Sequence, residues 1–284
     1  MIVMLFILLI LLILGYQFLV WEPQDTSILY KDQPYLLFGH RGAPHFEPEN
    51  TIPSFLRAIS DGCNAIELDV HRTKDGHLVV FHDDTLERTS NGTGLVADHT
   101  LAELKALNAA AIWEGRQEQI PTLQEVVDAL PENIIFNFEI KDYTFFSKQR
   151  IELSLIRFIR DNNMRDKVVL SSFNPLNIWR VKIADPKIFT ALLWYEPSFL
   201  SLRHAVGVHL AHPDLLHPFE ENMNWGVNFW SRAKQIPMHV WVVNDEQGMQ
   251  AFANNPMIKG IMSDDTKLLV DTVGHKLNQG NQHS

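Results

Sequence analysis

Residues 64–84 read "NAIELDVHRTKDGHLVVFHDD". In the first seven residues Ile66, Leu68 and Val70 fall on one face of an extended chain, and Glu67 and Asp69 fall on the other. A second strand-like run, "HLVVFH", follows across "TKDG". A parallel neighbour needs a crossover of roughly a dozen residues, so so short a link returns the chain antiparallel, as a hairpin. Glu67 and Asp69 therefore belong to a regular strand, whereas His82 ends an addition to it.

The surrounding sequence supplies the regular part. "YLLFGH" (35–40) is strand-like, and after the loop "HRGAPHFEPENT" (40–51) Ile52, Phe55, Leu56 and Ile59 share one helical face. Asn50 or Thr51 is placed to cap that helix, Pro53 lies in its first turn and Gly62 at its end. Downstream, "PTLQEVVDAL" opens with a capping box from Thr122 to Glu125. Further strands are expected at "IIFNFEIK", "VVLSSF", "IFTALLW", "GVHLAH", "HVWVVN" and "IKGIMS". With "YLLFGH" and "NAIELDV" these make eight, mostly separated by helix-length segments, which predicts an α/β fold of the (β/α)8 TIM barrel type over 35–270. Residues 83–121 have turn signals at 91–94 and a second capping box from Thr100 to Glu103, and they read as a small inserted subdomain over the active-site end.

Outside the barrel, residues 1–21 carry no charge and are almost wholly apolar. At ~1.5 Å per helical residue they reach roughly 30 Å, the depth of a bilayer core. The stretch lacks the basic start and small-residue cleavage site of a signal peptide, so it is expected to be a transmembrane helix and single-pass membrane anchor. The nearest basic residue is Lys31, too remote to orient it. Residues 22–34 read as a linker and 271–284 as a polar tail.

The net charge of −10 argues against a nucleic-acid partner bound through the overall field, so any anionic substrate must meet local positive charge. One cysteine, Cys63, excludes an internal disulfide framework. In "FNFEIK", Asn137, Glu139 and Lys141 lie opposite Phe136, Phe138 and Ile140. With apolar residues packed under the helices, Glu67, Asp69 and Glu139 point inward near the C-terminal rim. Hard oxygen donors so arranged suit Mg2+ or Ca2+ rather than zinc. The alternative is that each acid pairs with a base such as Arg41 or Lys141.

"HRGAPHFEPENT", "ELDVHRTKDGHLVVFHDDTLERTSNGTG", "FEIK", "VLSSF", "VWVVN" and "GIMSDD" together resemble the glycerophosphodiester phosphodiesterase family from residue 36 to about 270. The resemblance implies a TIM barrel with an inserted subdomain and metal-dependent hydrolysis of glycerophosphodiesters to an alcohol and glycerol 3-phosphate. It implies that His40 and His82 are the catalytic histidines, that Glu67, Asp69 and Glu139 hold one divalent cation, and that Arg41 and Lys141 bind phosphate. Glu49 falls near that site in the family, and Trp241 stands at a strand end where it would line a substrate pocket. Two departures stand out: Ala43 replaces a common second glycine, and Val242 a threonine, which affects loop shape and pocket polarity.

A lysophospholipase D-type reaction on membrane lysophospholipids uses the same groups and is the second reading, favoured by an apolar groove in the insertion or near Trp113. A non-catalytic, membrane-tethered binding module is the third. A metal-dependent amidohydrolase would want a His-x-His pair on the first strand, where "HRG" gives one histidine and an arginine.

Overall fold

The computed structural model describes all residues except 1–7, 10, 11, 13, 14, 17, 18, 31, 32, 143–149, 196–201 and 278–284. Eight parallel strands close into a barrel: β1 (Leu36–His40), β2 (Ala65–Arg72), β4 (Ile135–Ile140), β5 (Val168–Ser172), β6 (Phe189–Trp194), β7 (Leu215–Pro218), β8 (Met238–Val240) and β9 (Ile258–Ser263). Pairing of β1 with both β9 and β2 makes the closure. The remaining strand, β3 (Leu78–Val80), runs antiparallel on β2, as the five-residue link 73–77 requires. Val70 faces Val80 on one edge and Ile140 on the other. β3 thus takes up the edge of β2 that β1 leaves after His40, and carries the chain above the rim.

Around the barrel lie α1 (Ile52–Asp61), α3 (Leu123–Ala129), α4 (Ile151–Asp161), α5 (Pro175–Ala184), α6 (Leu202–Ala211), α7 (Trp225–Lys234), α8 (Glu246–Ala253) and α9 (Thr266–Val273); α2 (Leu101–Lys105) belongs to the insertion. α1 starts where the Thr51 hydroxyl accepts from Ser54 N–H, and ends at Gly62, whose φ of 110° is left-handed. Both expected capping boxes form, at Thr100/Glu103 and Thr122/Glu125. The main core lies between sheet and helices, with Ile66, Leu68, Val70, Phe136, Phe138 and Ile140 on the outward face of β2 and β4. Within 83–121, Leu86, Val96, Leu104, Ala109 and Ile120 close a separate small cluster on Val79 and Phe81 of the hairpin.

One strand differs from its expected place. "GVHLAH" lies in α6, not in a strand, with Val208 and Ala211 buried three residues apart, and the strand is "LLHP" just beyond. The pattern is ambiguous because so short an apolar run satisfies either period. His209 is therefore helical, while His217 is wholly buried on β7 with its ring 4.8 Å from that of buried His239 at a tilt of 34°, and burial holds both imidazoles well below the usual histidine range.

The N-terminal end of the barrel is plugged by the segment expected as a linker. Leu29, in a turn of 3-10 helix at Ser27–Tyr30, packs on Val169, Phe189, Ala191 and Leu215, and Gln24 bonds to Asp214 through its backbone N–H (2.9 Å) and side chain (3.0 Å). At the other end α9 runs through Val273, and Leu277 packs on the core before the chain leaves the described residues. Among the described residues no helix is long and apolar enough to cross a membrane. The expected membrane helix over 1–21 falls largely outside them; of its described members, Leu8, Leu9, Leu12, Tyr16, Leu19 and Val20 are helical and exposed.

The β1–α1 turn depends on glycine. Gly42 has a φ of 90°, and a Cβ there would sit 2.3 Å from Ser54 Oγ. Gly42→Ala should destabilise the fold by about 1–3 kcal/mol, from strain at positive φ plus overpacking. Thermal unfolding checks this, and an unchanged midpoint would show that the turn has slack.

Candidate active site

The barrel register brings the chemistry together. His40 pairs with Glu67, Glu67 with Asn137, and Asp69 with Glu139, so three neighbouring strands aim their alternate residues inward at one level. Glu67, Asp69 and Glu139 are each buried, and one carboxylate oxygen from each lies within 4.8 Å of the others. His40 ends β1, His82 follows β3, and Lys141 follows β4. They share a cavity of about 360 Å³ with Arg41, Glu67, Asn137 and Glu139 on its charged side. Its other side, from β5 to β9, is apolar, with Phe173, Leu193, Tyr195, Trp241 and Met262.

Arg41 adopts a φ of 53°, an uncommon conformation for a non-glycine residue. The twist directs its backbone N–H at Glu67 Oε2, 2.9 Å away, while its guanidinium reaches Glu49 (3.1 Å) and Asp69 (3.5 Å). Lys141 Nζ lies 2.9 Å from Glu139 and 3.3 Å from Asp69. Burial pushes the Asp69 carboxyl up, but Lys141 and Arg41 outweigh it and hold the group well below the usual range. Glu67 goes the other way: burial and the charges of Asp69 and Glu139 push it well above the usual carboxylate range.

That opposition bears on whether the residues fit a cation. Three acids face two bases, and Glu67, the acid with least basic company, is the one that burial and its neighbours' charges push up. A divalent ion would offset that repulsion, and the all-oxygen donor set suits Mg2+ or Ca2+. Asn137 Oδ1 is also buried without a hydrogen-bond partner at this site, an oxygen that a bound ligand could meet.

Both histidines are oriented by carboxylates that sequence reasoning did not assign. His40 Nδ1 bonds to Asp264 Oδ1 at 2.7 Å, and His82 Nδ1 bonds to Asp83. Each therefore keeps Nε2 for another partner; in His82 it is burial, with Arg41 and Lys141 nearby, that lowers the imidazole pKa against the pull of Asp69. Asp264 lies in the quoted "GIMSDD", and Asp83 adjoins His82, so both were visible as motif members without a role. Asn50 is likewise more than a cap: Thr51 caps α1, while Asn50, at a φ of 56°, donates from Nδ2 to Asp69 Oδ2 at 2.7 Å.

Glu49 does not line the cavity. It stands behind Arg41 and accepts a two-pronged bond from Arg88 of the insertion (2.9 and 2.6 Å), which also holds Asp83 at 2.5 Å. The insertion thus braces both the guanidinium and the His82 orienter. Trp241 lines the cavity with its ring, since its Nε1–H donates to the His217 carbonyl at 2.7 Å. Its ring meets Phe173 at 5.6 Å and Phe219 at 5.2 Å, and Phe219 in turn meets Tyr195 at 5.3 Å.

Asp264→Asn should lower turnover roughly 10- to 100-fold, the usual cost of losing a carboxylate that orients a working imidazole, with the folding midpoint little moved. Steady-state kinetics beside a melting curve test this; unchanged turnover would make the contact merely structural.

The model of the glycerophosphoryl diester phosphodiesterase family matches residues 40–268. A glycerophosphodiester phosphodiesterase of Caldanaerobacter subterraneus subsp. tengcongensis is 36% identical over 245 residues, covering 84% of this chain and 97% of its own. One from Bacillus subtilis is 31% identical over 75% of this chain and 78% of its own. Among solved structures, an Oleispira antarctica phosphodiesterase in complex with the product sn-glycerol-3-phosphate superposes with a TM-score of 0.71 at 27% identity, over 87% of this chain and 99% of that one.

Proposed function

This chain belongs to the glycerophosphoryl diester phosphodiesterase family and is a hydrolase of glycerophosphodiesters yielding glycerol 3-phosphate, and we propose on that premise that His40 and His82 run its proton transfers. The observation that carries this reading is the pair of carboxylate-oriented histidines, sharing one cavity with Arg41, Lys141 and two members, Glu67 and Glu139, of the three-acid cluster.

Arg41 binds two non-bridging oxygens through its planar fork, and Lys141 adds a point charge. A divalent cation held by Glu67, Asp69 and Glu139 would supply the remaining charge neutralisation on the phosphoryl group. One histidine takes the proton of the attacking oxygen, which belongs to water or to the substrate's own glycerol hydroxyl. The other gives a proton to the departing oxygen as its bond to phosphorus breaks. With water as nucleophile the products are the headgroup alcohol and glycerol 3-phosphate; with the glycerol hydroxyl, a cyclic phosphate forms first and water then opens it to the same product.

A second reading, cleavage of lysophospholipids, is favoured by the aromatic wall of Phe173, Tyr195 and Trp241 opposite the charged groups. Glycerophosphocholine and lysophosphatidylcholine offered in parallel separate the two through choline release. Faster turnover of the deacylated diester supports the first reading, and faster turnover of the lysolipid replaces it by the second. Choline release from neither, with binding retained, would leave only a tethered binding module.

Residues 1–21 serve in this account as a single-pass membrane anchor. Resistance of the full chain to alkaline extraction from membranes is expected, and release into the supernatant would remove the anchor.

A further inference from the structure

We propose that the flank of the barrel formed by α5, α6 and α7 seats on a lipid bilayer containing anionic headgroups. The inference rests on the anchor reading of residues 1–21 and adds to it a docking face and an orientation.

The flank departs from the rest of the chain in charge. The protein carries a net charge of −10, yet "PLNIWRVKIA", "LRHAVGVHLA" and "WGVNFWSRAK" contain no acidic residue and bring Arg180, Arg232 and Lys234, besides Lys182, which pairs with Asp214. Of the acids in the connections, Asp185 is buried under Arg160 and Arg165, Asp214 is buried under Lys182, Glu220 and Glu221 stand at the mouth end, and Glu196 lies outside the described residues. On the same three helices Trp179, Ile183, Leu210, Trp225 and Phe229 are exposed, Trp225 to 79%. Large apolar side chains among basic ones, without acids, match an interfacial surface that faces anionic lipid.

The occupant is argued from continuity. Trp225 stacks on Phe229 at 5.3 Å, Phe229 meets Trp230 at 5.9 Å, and Trp230 meets Trp21 at 6.2 Å. Trp21 ends the uncharged apolar segment, and Lys234 Nζ donates to its carbonyl at 2.6 Å. The ladder of rings thus runs without a gap from the exposed face to the residue where the chain leaves for the membrane, in the manner of the aromatic belts at bilayer interfaces. β5 and β6, which lead into α5 and α6, bear Leu193 and deliver the chain to Phe173 and Tyr195. The apolar wall of the cavity therefore lies on the bilayer side of the barrel.

The test uses the full chain in vesicles of phosphatidylcholine and phosphatidylglycerol, first by flotation and then by footprinting with a water-borne radical. Leu56, exposed on the opposite flank, and Ile112, exposed on the insertion, are internal references. Taking each residue's rate relative to its own rate in the detergent-solubilised chain, Trp225 and Phe229 seated at interfacial depth should slow roughly tenfold while Leu56 and Ile112 hold theirs. The protection should persist at fewer than one chain per vesicle and weaken when phosphatidylglycerol is omitted. In Trp225→Glu/Phe229→Glu, Trp179 and Leu210 should become labelled while the chain still floats. Chains that float while Trp225 and Phe229 hold their detergent rates as Leu56 does overturn the docking alone. Chains that do not float overturn it together with the anchor. Protection that vanishes on dilution assigns the face to a second copy and likewise overturns it.

Discussion

Alanine at His40 or at His82 should lower kcat for glycerophosphocholine by a factor of about 10²–10⁴, the range spanned by a lost general acid or base. Nδ1 of each ring is already engaged, with Asp264 for His40 and Asp83 for His82. Only Nε2 remains for the substrate, and neither ring belongs to the three-carboxylate cluster. Divalent-cation affinity measured by calorimetry should therefore stay within a factor of about 3 in both variants, because the donor set is intact and the nearer ring, His40, approaches it only to 3.9 Å, at Glu67. The split between turnover and metal affinity is the discriminating feature. Loss of both together would make the histidines ligands, and full turnover in both variants would remove them from the chemistry.

Glu67→Gln has the second large effect, and it acts in opposite directions on activity and stability. The amide can still accept the Arg41 backbone N–H but donates poorly to a hard cation, so affinity should fall roughly 10- to 100-fold and turnover with it. In EDTA the same substitution should raise the melting temperature. A carboxyl whose native pKa lies above its unfolded value favours folding most below the unfolded value, and that contribution is lost as pH rises through the native one. Burial and the charges of Asp69 and Glu139 put Glu67 in this position, so at neutral pH its side chain opposes the metal-free fold. Glutamine does not. A lower melting temperature for Glu67→Gln in EDTA would mean that the three acids are not in mutual repulsion.

The parts of the fold legible in the sequence were those set by periodicity. Alternation in "NAIELDV" and "FNFEIK" is enough to put Glu67, Asp69 and Glu139 on inward faces, and the length of "TKDG" is enough to force β3 antiparallel. What lay beyond reach depends on contacts distant in sequence. The partner of His40 is 224 residues away, and Arg88 reaches Glu49 across 39 residues through the insertion. Asn50 reads as a cap because Asn and Thr are both favoured N-caps; only the left-handed backbone at Asn50 turns its amide to Asp69. "GVHLAH" failed as a strand because helical burial of Val208 and Ala211 and strand alternation share the same letters. The segment 22–34 showed no apolar periodicity, and its grip on the barrel rests on single side chains, Leu29 and Gln24.

Crystals of the full chain soaked in Mn2+, with diffraction recorded at the manganese absorption edge, test the central claim most directly. A single anomalous peak is expected between β2 and β4, about 2.0–2.6 Å from oxygens of Glu67, Asp69 and Glu139 together, as hard cations bind. A peak elsewhere, or none while hydrolysis persists in EDTA, would contradict it.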